Sequence, residues 1–177
     1  MEIKVEKLDA RRSQSVVTRD DRVTLRVAGY GPSAPLPHDL AHYVVEKELA
    51  LRRGFWGCVA EGAIFPGMSI LAGRQRPHAR ERSEALCKAN SRTLTEVEVI
   101  VGVMVELVRN NVPATSPYAA KTVARCLTPR KDSELRTITA ANLERLDEGL
   151  TVMARRWSEV CVGDTLVVRW QASSKRN

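Results

Sequence analysis

The chain has 177 residues, of which 44% are apolar and 5% are aromatic, so it is long enough for one domain with its own core. Lysine and arginine number 28 against 21 acidic residues, and the net charge of +7 permits anionic partners without specifying one. The longest apolar run, 99–105, is too short to cross a membrane, and the first residues lack the apolar stretch that directs export. Composition therefore favours a cytoplasmic protein.

Three short segments at the start of the chain alternate apolar and polar residues and predict β-strands. They carry Ile3 and Val5, then Val16 and Val17, then Val23, Leu25 and Val27. The charged stretch 19–22 between the second and third segments predicts a hairpin turn. Two glycines and three prolines in 29–37 then end the predicted sheet.

Two of the three histidines, His38 and His42, lie four residues apart in a predicted helix that starts at Pro37. Proline suits the first helical position, and Asp39 adds negative charge to the first turn, where the helix dipole favours it. Residues four apart share one face of a helix, so both imidazoles can point at the same ion. Glu46 lies about 12 Å from His38 along the helix axis, so one ion cannot easily bind all three side chains.

This spacing supports a metal-site hypothesis, with a divalent cation such as zinc held by His38 and His42 or by His42 and Glu46. Zinc needs at least a third protein ligand, for which a distant carboxylate or Cys58 is suitable. His78 is the remaining histidine, but it lies among arginines that repel a cation. The sequence therefore predicts an incomplete site that another part of the fold must complete.

The alternative to a metal site is a polar rim on a packed helix. His38, His42 and Glu46 lie beside the apolar stripe, where histidines commonly form local hydrogen bonds. In an intermediate interpretation, Asp39 or Glu46 orients His42 in a polar network that binds a ligand or fixes the helix against the sheet. In a hydrolase, the same two carboxylates are the candidate base or orienting group.

Four further elements are predicted between the histidine helix and residue 126. The glycine-rich passage 54–67 predicts a compact loop or a broken helix with its aromatic residues packed inward. A charged helix is expected over 77–90, and Thr95 to Glu98 form a capping box that predicts the start of another helix. A shorter helix is expected from Ser116 and Pro117 to about Cys126.

The segment 74–92 is strongly basic, with six basic and two acidic residues. Its arginines are candidate contacts for nucleic acid or another anionic ligand, and the cluster consists of Arg74, Arg76, Arg80 and Arg82. No aromatic or base-reading motif accompanies them. A solvated helix face or loop is therefore the favoured interpretation.

The last predicted helix, 139–160, has the clearest periodicity in the chain. Its apolar residues recur at spacings of three and four, as in a seam that packs against a second helix, and they are Leu143, Leu146, Leu150, Met153, Trp157 and Val160. The second helix belongs either to the same chain or to a second subunit, and the latter predicts a homo-oligomer. A final strand with Leu166, Val168 and Trp170 is expected to return to the N-terminal sheet, and 172–177 predict a disordered tail.

The four cysteines, Cys58, Cys87, Cys126 and Cys161, are separated by 28 to 38 residues and form no C-x-x-C pair. In a chain without an export signal, this spacing predicts reduced thiols that are mostly buried. The cysteines therefore favour the same cytoplasmic location as the overall composition.

Two segments resemble a known family. Residues 36–46, with the sequence Leu-Pro-His-Asp-Leu-Ala-His-Tyr-Val-Val-Glu, and the Gly-Phe-Trp-Gly segment at 54–57 resemble a region shared by small bacterial proteins of unknown function. In that family, as here, a short strand-rich N-terminus precedes the histidine helix, and a tryptophan-bearing strand closes the chain. The resemblance covers 36–65 and implies a bacterial cytoplasmic protein. It implies no activity, cofactor or catalytic residue.

Together these patterns predict a single α+β domain over 1–171. A small antiparallel sheet, with three N-terminal strands and one C-terminal strand, is expected to pack on four to five helices. The favoured function is non-enzymatic binding or interaction, with self-association through 139–160. A metal-dependent hydrolase centred on His38 and His42 is the alternative, and electrostatic nucleic-acid binding is a weaker one.

Overall fold

The computed structural model describes residues 1–29, 31–126, 135 and 138–171. Within these residues the chain forms an antiparallel sheet and five helices, which confirms the predicted α+β class. The strands are β1 (Glu2–Lys7), β2 (Ser13–Thr18), β3 (Thr24–Ala28), β4 (Met68–Ala72) and β5 (Thr165–Arg169). Their order across the sheet is β4-β3-β2-β1-β5, so the last strand returns to the first as predicted.

Alternation along the strands gives the sheet one buried face. Ile3 of β1 lies opposite Val17 of β2 and Val168 of β5, and Val17 in turn lies opposite Leu25 of β3. All four side chains are buried. Because successive residues of a strand point to opposite faces, the residues between them project away from the core. The inward face therefore carries the apolar residues that the alternation predicted.

The strand β4 was not predicted, because its short apolar run follows a glycine- and proline-containing loop and does not alternate. It forms the edge of the sheet by pairing with β3, where Met68 lies opposite Val27 and Ile70 opposite Leu25. A register shift occurs between Thr24 and Leu25 of β3. The strand thus depends on pairing with β3 and not on a local pattern of burial.

The helices are α1 (His38–Glu48), α2 (Phe55–Glu61), α3 (Ala79–Arg109), α4 (Pro117–Cys126) and α5 (Ala140–Ser158). The predictions of α1, α4 and α5 are confirmed, and α2 lies inside the passage predicted as a loop or broken helix. Thr139 and Asn142 form a reciprocal capping box at the start of α5. No helix of the described residues has the length and apolar composition needed to cross a membrane.

The two helices predicted over 77–90 and from Thr95 are one continuous helix of 31 residues. The predicted capping box at Thr95 is therefore wrong. The Thr95 hydroxyl instead donates to the carbonyl oxygen of Ser91, one turn earlier in the same helix. Buried residues recur along one side from Ser83 to Leu107, and this continuous buried face stabilises the helix through the polar stretch.

Helix α1 lies at the centre of the helical layer, in contact with α2, α3 and α5. The apolar seam of α5 is buried from Leu143 to Trp157 and contributes to the same core as α1. At Gly149, an added Cβ would lie 2.9 Å from Cγ1 of Val44, so the two helices pack closely. The seam from Leu143 to Trp157 is thus buried within the chain itself, and self-association through 139–160 stays a prediction.

Two smaller predictions have mixed outcomes. Cys58, Cys87 and Cys161 are free thiols. Cys58 is buried, Cys87 is half-buried, and Cys161 is exposed in the turn before β5, so the prediction of mostly buried thiols holds only for Cys58 among these three. The predicted disordered tail, 172–177, lies outside the described residues, as does the side chain of Cys126.

Candidate metal centre

Helices α1 and α3 bring three potential metal ligands together. His38 is the first residue of α1, and His42 lies one turn later on the same face. Glu98 of α3 lies against both, with its Oε1 2.9 Å from Nε2 of His38 and its Oε2 2.9 Å from Nε2 of His42. The carboxylate therefore bridges the two imidazoles, whose ring centroids are 4.8 Å apart.

Glu98 is the candidate site residue that sequence reasoning missed. Glu98 ends the segment predicted as a capping box, and it lies 56 residues from His42 along the chain. The sequence predicted that a carboxylate from elsewhere could complete the site, and Glu98 is a carboxylate that the packing of α3 against α1 places beside both histidines.

The three side chains are close enough to share one cation. One ligand atom from each of His38, His42 and Glu98 lies within 4.8 Å of the other two. A tetrahedral zinc ion would hold such atoms about 3.3 Å apart, given zinc–ligand distances of about 2.0–2.1 Å. Small side-chain rotations would close this difference, and Glu98 has room to rotate because its side chain is 57% exposed.

Glu46 lies on the other side of His42 and is fully buried. Its Oε1 is 3.1 Å from Nδ1 of His42, so it orients the imidazole whose Nε2 faces Glu98. Its Oε2 accepts a hydrogen bond from the backbone N–H of Trp56 at 3.0 Å and a longer one from Gly57 at 3.4 Å. Glu46 thus contacts the nitrogen of His42 that faces away from His38 and Glu98. It is a buried group that positions His42 and caps α2.

Asp39 has a separate set of contacts. Its carboxylate accepts a hydrogen bond of 2.5 Å from the hydroxyl of Ser15, which projects inward from β2. Its backbone carbonyl accepts a hydrogen bond of 2.9 Å from the indole of Trp56. Burial raises the pKa of Asp39, and the Ser15 hydrogen bond opposes that shift. Asp39 therefore ties α1 to both the sheet and α2.

The segment 54–57 is built around these carboxylates. An added Cβ at Gly54 would lie 2.4 Å from Cδ of Glu46, so only glycine leaves room for the buried carboxylate. The ring of Phe55 lies against the imidazole of His42, with 5.2 Å between centroids, and stacks on Phe65. The two segments that carried the family resemblance thus form one connected structure.

His42 is the positively charged group of the site. Burial opposes protonation of His42, but the hydrogen bonds to Glu46 and Glu98 outweigh it and raise the pKa to about 9. The hydrogen bond from His42 also lowers the pKa of Glu98. Burial raises the pKa of Glu46, but three N–H donors favour its ionised form. At neutral pH, an imidazolium therefore lies between two carboxylates.

His38 has the opposite tendency. Burial and the neighbouring charge on His42 lower the pKa of His38, and Glu98 offsets only part of that effect. His38 is therefore neutral at neutral pH, and the positive end of the helix dipole favours the same form; its Nε2–H donates to Glu98. A neutral imidazole is the form that coordinates metal.

The basic residues predicted as anion contacts lie away from this site and do not act together. Arg76 and Arg82 line one cavity, whereas Arg80 lines another and forms an ion pair of 2.9 Å with Glu84. Arg74 lies exposed in the loop between β4 and α3. The fold therefore separates the arginines of the segment 74–92 from one another.

No protein-family model, curated protein or solved structure matches this chain. The resemblance to small bacterial proteins, and the cytoplasmic origin that it implies, stay predictions.

Proposed function

We propose that this protein binds one divalent transition-metal cation, typified by zinc, through His38, His42 and Glu98. The observation that carries the proposal is the convergence of two imidazoles and one carboxylate from two helices within 4.8 Å. Two histidines and one glutamate form a ligand set that zinc proteins use, with a fourth position left for water or a ligand. His38 and Glu98 are partly accessible, which gives an ion a route to the site.

The buried Glu46 supports the same proposal. Metal-binding histidines commonly donate their second N–H to a carboxylate, which fixes the ring and increases its basicity. Glu46 provides that contact to Nδ1 of His42 and leaves Nε2 directed at the shared position. A metal ion would replace the His42 proton and break the direct contact between Nε2 and Glu98, so binding releases a proton.

A binding role is better supported than hydrolysis. A hydrolase needs a base that can reach metal-bound water, and the candidates were Asp39 and Glu46. Glu46 is fully buried, and its carboxylate accepts hydrogen bonds from His42, Trp56 and Gly57. Asp39 is buried, and its carboxylate accepts a hydrogen bond from Ser15. Both act as positioning residues in this geometry, so we propose a metal-binding protein and keep the hydrolase as the alternative.

Nucleic-acid binding remains the weaker alternative, because the fold divides the arginines between two cavities. If that alternative holds, binding to duplex or single-stranded DNA will weaken steeply with salt. An absence of binding at low salt would rule it out.

Calorimetric titration of the chelator-treated protein with zinc tests the metal proposal. We expect one site per chain, and we expect Glu98→Gln to weaken zinc binding about tenfold or more, because it replaces an anionic ligand with a neutral amide. Glu106→Gln is the matched control, since Glu106 is an exposed carboxylate on the same helix. Absence of stoichiometric binding, or equal affinities for the two variants, would overturn the proposal.

A further inference from the structure

One edge of the sheet ends in an exposed apolar strand. The apolar row that crosses the core-facing side of the sheet consists of Val168, Ile3, Val17, Leu25 and, at the edge, Ile70. The two ends of this row differ, because Val168 of β5 is 5% exposed whereas Ile70 of β4 is 45% exposed. The core-facing side of the sheet is therefore covered at β5 and uncovered at β4.

A gap in the helical layer lies beside this exposed edge. Met68 of β4 and Cys87 of α3 both line a cavity of about 590 Å³. Met68 lies opposite Val27, which is buried, so the cavity is on the core-facing side of the strand. Leu71 of the same strand is 50% exposed. Exposed apolar side chains that adjoin one another are typical of a surface that contacts another molecule.

The backbone of β4 also presents hydrogen-bonding groups at this edge. The N–H of Arg19 donates to the carbonyl oxygen of Val23, so Val23 and every second residue after it direct their backbone groups at β2. Arg26 is one of the others, and it directs its N–H and C=O at its β4 partner, Ser69. The backbone groups of Ile70 then point to the outer edge, which has no strand partner among the residues that the structure describes. An extended strand is the occupant that matches such a row of donors and acceptors.

The two edge strands differ in charge. Sheet edges in natural proteins commonly carry charged residues or proline, which discourage pairing with another chain. The strand β5 includes Arg169, whose side chain is mostly exposed, and it follows Asp164. The five residues of β4, Met-Ser-Ile-Leu-Ala, include no charged residue and no proline. The strand β4 therefore lacks the features that discourage pairing with a strand of its own kind.

We propose that β4 pairs antiparallel with β4 of a second copy of this chain, so that two five-stranded sheets become one continuous sheet. A two-fold axis at Ile70 places this residue opposite Ile70 of the second copy, and the apolar row then continues from one core into the other. In this register Met68 lies opposite the second copy's Ala72, a large side chain beside a small one. A two-fold contact between like edges closes after two chains, whereas pairing of β4 with β5 would produce an open-ended assembly.

Sedimentation equilibrium of the unmodified chain tests this pairing, with a chelator present so that no metal ion links two copies. The measured mass is expected to rise with concentration from 19.7 kDa to twice that value. A contact built on a five-residue strand is smaller than a standard interface, so we expect dissociation in the micromolar range. A single-chain mass at millimolar concentration would overturn the proposal.

Ile70→Lys and Val167→Lys form a matched pair of variants. Val167 is 42% exposed and lies in the middle of the other edge strand. We expect Ile70→Lys to raise the dissociation constant of the dimer at least tenfold, because it places two like charges together at the two-fold axis. Val167→Lys should leave that constant unchanged. Circular dichroism checks that each variant is folded, and an equal effect of the two folded variants would contradict pairing through β4.

Val152→Lys separates this contact from self-association through 139–160. Val152 is exposed on α5, outside the buried seam of that helix. We expect this variant to form the dimer as the unmodified chain does. Loss of the dimer in Val152→Lys, with retention in Ile70→Lys, would assign the contact to α5 and overturn the β4 proposal.

Amide hydrogen exchange followed by NMR provides a readout that needs no variant. The amide of Ile70 should exchange more slowly as the chain concentration rises, because in the dimer it donates to the second copy. The amide of Ser69 should be protected at every concentration, since it faces β3. Lys7 donates to the carbonyl oxygen of Asp164, so the amide of Val167 faces the outer edge of β5 and should exchange rapidly throughout. Exchange at Ile70 that did not change with concentration would overturn the pairing.

Discussion

His42 and Arg19 are both buried cations with side chains 6% exposed, but their surroundings differ. Both nitrogens of His42 have carboxylate acceptors, Glu46 on one side and Glu98 on the other. Arg19 has Asp21 on one edge, while Nη1 on the other edge has no acceptor among the described residues. One cation is fully paired, and the other is paired on one edge only.

This difference indicates how each cation depends on its partners. At His42, an incoming metal must replace a proton, and the existing hydrogen bonds already place its ligands. Removing one partner of a buried charge leaves that charge uncompensated, which strongly destabilises the folded state. The following changes test that distinction.

Glu46→Gln should have the largest effect, because it leaves His42 half-paired in the way that Arg19 is. The amide presents a donor to a pocket whose other groups, Nδ1–H of His42 and N–H of Trp56, are also donors. We expect the free energy of unfolding to fall by about 3–5 kcal/mol, as when a buried ion pair is broken. Urea denaturation measures this loss.

The control for that experiment is Glu48→Gln on the same helix. The ion pair between Glu48 and Lys47 has an N···O distance of 3.7 Å, and the Glu48 side chain is partly exposed, so its removal should cost less than about 1 kcal/mol. Equal losses in the two variants would show that Glu46 does not stabilise a charged His42.

The pH dependence of the metal-free protein should be the next largest effect. The folded pKa of His42, about 9, lies above its ordinary value of 6.5, so the folded state holds this proton more tightly than the unfolded chain does. The added stability is present below about pH 6.5 and is lost as pH rises through about 9. The size of this loss is on the order of 3 kcal/mol.

Urea denaturation at pH 6, 7.5 and 9.5 measures this decline. The titratable groups facing His42 are His38, Glu46 and Glu98, and burial lowers the pKa of His38. His42→Gln should remove the decline between pH 6 and 7.5. The buried Cys58 thiol, whose pKa is raised to about 12, adds a separate decline toward pH 9.5 that the variant retains. A constant or rising stability of the unmodified chain would show that His42 is not protonated in the folded state.

Gly54→Ala should give an intermediate effect. The new Cβ would lie 2.4 Å from Cδ of Glu46, a buried group held by three donors that cannot easily shift. We expect a loss of about 1–3 kcal/mol, as for other overpacked sites. Thermal unfolding measures it.

Gly102→Ala is the control, since its new Cβ would meet no atom within 4 Å in the middle of α3. Alanine in a helix interior should there increase stability by about 0.5–1 kcal/mol. A neutral result at Gly54 would show that Glu46 does not occupy the position described.

Glu98→Gln should have the smallest effect on the metal-free protein. The side chain is 57% exposed, so loss of its charge should cost less than about 1 kcal/mol. Zinc at a hundredfold excess over its dissociation constant should stabilise the unmodified chain by about 2.7 kcal/mol. The same zinc concentration should stabilise the variant much less. A large loss without metal, together with unchanged zinc stabilisation, would indicate a purely structural role for Glu98.

Local patterns in the sequence predicted most of the fold. The helical spacing of His38 and His42, the seam of α5 and the alternation of β1 to β3 all depend on neighbouring residues, and these elements form where they were expected. The strand β4 and the continuous α3 were not predicted. The first depends on pairing with β3, and the second on a buried face that outweighs the capping signal at Thr95.

The residues of the candidate site show the same contrast between local patterns and tertiary packing. His38 and His42 could be identified because one helix carries both. Glu98 could not, because it reaches them through the packing of α3 on α1. The alternation of β2, extended by two residues, places Arg19 on the buried face, although its charged neighbours predicted only a turn.

X-ray absorption at the zinc edge of the zinc-loaded protein tests the central claim most directly. The account predicts four-coordinate zinc with two imidazole nitrogens and two oxygens, one of them from Glu98, and no sulfur ligand. The Glu98→Gln variant should lose this signature, whereas Glu106→Gln should retain it. A sulfur ligand, or a shell without imidazole, would contradict the claim that His38, His42 and Glu98 hold the metal.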